Sequence, residues 1–89
     1  MSNFTLRDLE KRVQERAKAS AHTSYTRRLL DQGVAHCAKK LGEEAIETVL
    51  AAVEEDRARL IAEAADLIYH LLAGREARGS SLADGEAQP

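Results

Sequence analysis

The chain has 89 residues and a formal net charge of −2, from 13 Lys and Arg against 15 Asp and Glu. That allows one small domain and excludes a general nucleic-acid binder, since no basic run or aromatic-interleaved basic patch appears. Apolar residues make up 44%, but sixteen of them are Ala, with one Phe, two Tyr and no Trp. Such a composition favours helices and builds only a thin monomer core.

Thr5 is placed to cap a helix that starts at Leu6, with Asp8 in its first turn. Leu6, Leu9, Val13 and Ala17 recur at helical spacing and carry that helix to about Ala19. After a polar connector from Ser20 to Ser24, a short helix runs from Tyr25 to Gln32 and is stopped by Gly33. A third helix spans about Val34 to Glu54, with Val34, Ala38, Leu41, Ala45, Val49 and Ala52 on one stripe. Gly42 within it costs roughly 1 kcal/mol relative to Ala, which points to a close approach to the backbone there. Glu55, Asp56 and Arg57 form a polar turn, and a fourth helix follows with Leu60, Ala64, Leu67, Ile68 and Leu71 as its stripe. The apolar pattern stops at Gly74. The expected architecture is all-α, one domain over residues 1–78 and a disordered tail over 79–89.

Other features set the setting. Cys37 is the single cysteine, Met1 to Glu10 is polar rather than signal-like, and the apolar runs are too short to span a bilayer, so a cytoplasmic protein is expected. Ile46, Leu50, Ile61 and Leu72 widen the stripes of the third and fourth helices beyond what one hairpin partner covers. A homodimer that stacks two hairpins into a four-helix-type bundle would bury that surface.

The chemistry lies in two carboxylate pairs. Glu44 and Glu47 are three residues apart on the third helix, and Glu63 and Asp66 repeat that spacing on the fourth. Each pair flanks its apolar stripe, so the four groups converge when the helices pack as a hairpin. Clustered carboxylates repel unless a hard cation sits among them, and an oxygen-only donor set suits magnesium or manganese. The competing interpretation is a solvated acidic face.

The blocks SYTRRLL (Ser24 to Leu30), KKLGEEAIE (Lys39 to Glu47) and EAADLIYHLL (Glu63 to Leu72) raise the first interpretation. The pattern E-E-x-x-E, fifteen residues, then E-x-x-D resembles the MazG-like all-α nucleotide pyrophosphohydrolases, and the three blocks together resemble more closely the phosphoribosyl-ATP pyrophosphatases. The resemblance runs from about Phe4 to Leu72. It implies hydrolysis of 1-(5-phospho-β-D-ribosyl)-ATP to the corresponding AMP derivative and pyrophosphate, the second step of histidine biosynthesis, by a magnesium-dependent homodimer. It also implies that Glu44, Glu47, Glu63 and Asp66 bind the metal and that Glu43 orients water. Lys40, one turn before Glu44, is a candidate to meet a phosphate. Some relatives are fused to the cyclohydrolase of the next step; this sequence shows no such domain, so that activity is expected from a separate protein.

Tyr25 and Thr26 open the short helix and are candidate substrate-binding residues, as is Arg28 beside Arg27. His70 lies four residues beyond Asp66 and fits helix packing better than the acidic cluster. Cys37 fits a small buried hydrophobe, since adjacent His36 points elsewhere on a helix. Two other functions are compatible with these residues: a housekeeping pyrophosphohydrolase of the MazG or dUTPase type, and a non-catalytic helical dimerisation module.

Overall fold

A computed structural model of the chain describes residues 5–88; the first four residues, where the polar opening begins and the resemblance starts, and the last residue of the tail lie outside the described residues. All elements in that span are helices, in the order α1 (Leu6–Ala17), α2 (Tyr25–Asp31), α3 (Val34–Val53), α4 (Arg57–Ala77) and α5 (Leu82–Glu86).

Local chemistry sets the boundaries. The Thr5 hydroxyl accepts from the Asp8 backbone N–H at 3.2 Å, and the Asp8 carboxylate accepts from the Thr5 N–H at 2.9 Å, closing a full capping box on α1. Those bonds from Thr5 hold the Asp8 carboxyl below its ordinary range. Ser24 is buried between α1 and α2. Its hydroxyl donates to the Arg16 carbonyl at 2.8 Å and accepts from the Arg27 N–H at 3.1 Å, tying the end of one helix to the start of the next. Gly33 follows α2 with φ +94°, a conformation that an L side chain adopts only under strain. The Asp56 carboxylate caps α4 by accepting from the Arg59 N–H at 3.0 Å, just after Glu55, which is held at φ 60° in the turn.

α3 and α4 form the central hairpin; α2 packs against both, and α1 packs against α4 and α2. The core centres on Leu29, Cys37 and Ala73, with Leu30, Tyr69 and Ala77 against it. Cys37 is buried there, its thiol donating to the Leu29 carbonyl at 3.4 Å, and burial pushes its pKa up. These contacts make it a structural rather than a reactive thiol.

Three expectations need correction. The inward line of α3 runs through Cys37, Glu44, Thr48 and Ala51, whereas Val34 and Val49 of the predicted stripe are exposed. Small and polar side chains let α4 approach, and the larger aliphatics are turned outward. A Cβ at Gly42 would meet nothing within 4 Å, so no described group closes on that backbone. Past the polar turn at Gly74, α4 continues to Ala77, and α5 forms where the sequence pattern gave only a tail. α5 has its own capping box between Ser81 and Asp84, its Leu82 N–H donates to the Glu10 carboxylate at 2.8 Å, and Glu86 pairs with Arg7. These polar contacts, rather than apolar periodicity, define it. Among the described residues no helix is long and apolar enough to cross a membrane.

Candidate active site

The hairpin brings Glu44 of α3 together with Glu63 and Asp66 of α4, so that one carboxylate oxygen from each lies within 4.8 Å of the others. Glu44 and Glu63 are half-buried and Asp66 is exposed, which leaves the cluster open on one side. Beneath it, the Thr48 hydroxyl lies 2.8 Å from the Glu44 carbonyl and 3.2 Å from the Glu63 carbonyl, linking the two backbones that carry the ligands. Burial, then the neighbouring charges of Glu44, Glu47 and Asp66, raise the Glu63 pKa, and Arg59 opposes them. A group that resists ionisation because its neighbours share its sign favours a cation among them. The donor set is all oxygen, which suits magnesium or manganese and fits a metal held by Glu44, Glu63 and Asp66.

Glu47 stands apart from this trio. Its carboxylate accepts from Arg59 at 3.1 Å, and the same guanidinium also pairs with Glu54. Arg59 was not singled out from the sequence, although a signal was present. It lies four residues before Glu63, hence on the same face of α4, opposite the Glu47 turn. Glu43 and Lys40 also stay outside the trio; they pair with each other at 3.5 Å, so the partner of Lys40 is Glu43 rather than Glu44.

One turn beyond Asp66, the chemistry changes sign. Tyr69 forms one wall of a cavity of about 410 Å³ between α1 and α2, which Arg12, Arg16, Tyr25 and Arg28 also line. Tyr25 is 48% exposed, with its ring centre 6.2 Å from that of Tyr69. Thr26, the neighbouring substrate-binding candidate, is buried, and its hydroxyl shares a hydrogen bond with the Tyr69 phenol. Burial raises the Tyr69 pKa. Arg27 is committed to Asp31 at 2.8 Å, which leaves Arg28 as the cavity's arginine on α2. Arg12 and Arg16 escaped the sequence reading; their four-residue spacing places both on the α1 face that carries Val13.

His70 is buried, edge-on to Tyr69 at 5.1 Å. A carbonyl only accepts, so the ring carries its proton on Nδ1 and donates to the Asp66 carbonyl at 2.8 Å. Its Nε2 finds no partner among the described residues. The ring packs the turn that carries Asp66 and does not reach into the carboxylate cluster as a ligand.

Comparison with known proteins places the chain in a family. The sequence is 59% identical over 87 residues to phosphoribosyl-ATP pyrophosphatase 1 of Bradyrhizobium diazoefficiens, covering 98% of this chain and 82% of the relative. It is 55% identical over 87 residues to the phosphoribosyl-ATP pyrophosphatase of Nitrobacter winogradskyi, covering 98% and 75%. With that of Allorhizobium ampelinum it shares 62% identity over 72 residues, 81% of this chain and 69% of the relative. The sequence pattern of phosphoribosyl-ATP pyrophosphohydrolases matches residues 6–86, from the start of α1 to the end of α5, and the chain belongs to that family.

Proposed function

We propose that the protein hydrolyses 1-(5-phospho-β-D-ribosyl)-ATP between its α and β phosphates, adding one water and giving 1-(5-phospho-β-D-ribosyl)-AMP and pyrophosphate, the second step of histidine biosynthesis. The observation that carries this reading is the convergence of Glu44, Glu63 and Asp66 from two helices within 4.8 Å, in a chain of this family.

Glu44, Glu63 and Asp66 would hold the metal, magnesium or alternatively manganese, and Glu47, paired with Arg59, would be the further carboxylate available to it. Such an ion would neutralise phosphate charge and favour deprotonation of the attacking water. The chain's own residues do the positioning. Thr48 fixes the two backbones, His70 buttresses the Asp66 turn, and the open side of the cluster admits the phosphate chain. Lys40 offers a point charge to the departing pyrophosphate, and Glu43, which neutralises it at rest, orients water once phosphate takes its place. Tyr25 and Arg28 contact the rest of the nucleotide, with Thr26 acting through Tyr69.

The working unit in this reading is a homodimer in the cytoplasm. Ile46, Val49, Val53 and Ile61, 62%, 61%, 74% and 53% exposed, form an apolar face on the central hairpin, and a second copy would close it into a four-helix bundle. Leu72 is buried within its own chain and belongs to the monomer core instead.

Pyrophosphate release from phosphoribosyl-ATP, with dATP, dUTP and dCTP alongside, tests the activity. Turnover should require magnesium or manganese, vanish with EDTA and fall by ~10²-fold or more in Glu44→Gln, Glu63→Gln and Asp66→Asn. Near-normal turnover in any two of these variants rules the site out. Light scattering should give twice the 9.8 kDa chain mass or a multiple of it; a fully active monomer rules out the dimer.

A further inference from the structure

We propose that the arginine-lined cavity between α1 and α2 seats a sugar phosphate, the 5-phosphoribosyl group on the far side of the purine, and that Arg16 and Arg28 thereby select phosphoribosyl-ATP over ATP. This rests on the activity proposed above and assigns the part of the site that the carboxylates leave unexplained.

The cavity carries three guanidiniums, from Arg12, Arg16 and Arg28, and no carboxylate lines it. In a chain with net charge −2 that is a local reversal of sign. A phosphate monoester carries close to two negative charges at neutral pH, and guanidinium forks match its oxygens in pairs. Arg28 is already oriented, since one of its N–H groups donates to the Ala21 carbonyl at 2.6 Å, leaving the rest of its five N–H donors for a ligand. Arg16 projects from the last turn of α1, whose end Ser24 anchors to α2. The two arginines therefore flank the cavity from helices that are tied together.

Position links the cavity to the carboxylates. Tyr69, its wall on α4, follows Asp66 by three residues, roughly 4.5 Å along the helix axis. A ligand with its phosphate chain at Asp66 and a second phosphate among the arginines must pass the tyrosines. Tyr25 presents a half-exposed ring there, a platform on which a purine stacks. The volume of about 410 Å³ lies within the range of small-molecule sites and accommodates a ribose phosphate. ATP carries a triphosphate and a purine but has no second phosphate to place here, which is why the cavity discriminates between them.

The test uses the full chain and its Arg16→Gln and Arg28→Gln variants, with Arg16→Lys to separate charge from fork geometry. Ribose 5-phosphate is the probe, and phosphoribosyl-ATP and ATP are the substrates. Ribose 5-phosphate should inhibit the unaltered protein competitively, and each Gln variant should weaken that inhibition about 10- to 100-fold. The ratio of kcat/KM for phosphoribosyl-ATP over ATP should fall by a similar factor, mainly through KM, with manganese affinity preserved; Arg16→Lys should recover only part of it. Undiminished ribose 5-phosphate inhibition in both Gln variants, or an equal fall for both substrates, overturns the proposal. An unaltered protein inert toward phosphoribosyl-ATP would instead sink the proposed activity, and direct titration with ribose 5-phosphate would still decide the cavity.

Discussion

Thr48 offers a sharp probe of how the hairpin holds its ligands. Its hydroxyl has one proton to share between the Glu44 carbonyl at 2.8 Å and the Glu63 carbonyl at 3.2 Å. Thr48→Val keeps the shape and removes that proton. Neither carbonyl is orphaned, because each lies inside a helix and accepts a backbone N–H one turn later. The loss is therefore that of one net hydrogen bond, about 0.5–1.5 kcal/mol, without the larger penalty of a stranded buried group. For a domain of this size that lowers the thermal midpoint by roughly 2–12 °C. Metal affinity should fall as well, because Glu44 and Glu63 then lose a shared anchor; groups that orient metal ligands typically contribute 10- to 100-fold, and the low end, about 10-fold, is expected for one acting through backbone. Calorimetric manganese titration of both proteins, alongside thermal melts at matched concentration, reads the two effects. Unchanged manganese affinity with a lowered melting point would show that Thr48 serves packing alone and refute the reasoning.

Ser24→Ala removes a helix cap and one hydrogen bond to the Arg16 carbonyl, which keeps its bond from the Ala19 N–H, so it should cost about 1–3 kcal/mol and lower the melting temperature by roughly 4 °C or more; a shift within error would mean that water replaces the hydroxyl. Glu55→Gly relieves a left-handed residue in the α3–α4 turn and should stabilise by ~0.5–1 kcal/mol, checked by urea unfolding, with destabilisation as the contrary result. Glu63 has a raised pKa, so the native state holds its proton more tightly than the unfolded chain does. Its contribution to stability is full below the unfolded carboxylate pKa and is lost as pH rises through the folded one. Without metal, the melting temperature should therefore gain less, or fall more, between the acidic carboxylate range and neutrality than in Glu63→Gln, and saturating magnesium should remove that difference; a steeper rise in the unaltered protein contradicts the sign. Lys40→Ala should cost only ~0.2–0.5 kcal/mol from its exposed pair with Glu43, yet lower kcat/KM by about 10-fold or more with manganese affinity intact; unchanged kinetics would leave Lys40 as a surface charge.

The helices were legible because their punctuation is local. Thr5, Ser24, Gly33 and Asp56 each mark a boundary by chemistry that needs no tertiary partner. The carboxylates were legible because a three-residue spacing on two consecutive helices constrains where they face. Rotation of α3 was not legible. Ala-rich helices present several faces of similar hydropathy, and the one turned inward was decided by how closely Thr48 and Ala51 let α4 approach. The pairing of Arg59 with Glu47 was half legible: its four-residue spacing from Glu63 marks the face, but the pair itself joins residues across the hairpin rather than along one helix. The arginine cavity was half visible: Tyr25 and Arg28 stood out in one block, while Arg12 and Arg16 came from another helix and looked like an ordinary charged face. α5 depends on single polar contacts to α1 and α4, which hydrophobic periodicity does not encode.

Arg59 gives the acidic hairpin a cation of its own. Its guanidinium spans Glu47 and Glu54 at the rim of the cluster, so a dication that recruits Glu47 must first displace a tethered competitor. Binding is then an exchange of one positive charge for another rather than an addition to bare negative charge. Such an exchange would lower apparent affinity, with Glu54 left to retain the displaced arginine nearby. A site organised this way discriminates by charge density: a monovalent ion gains little over the resident guanidinium, whereas a small dication does. Removing Arg59 would make the site greedier and less selective at once.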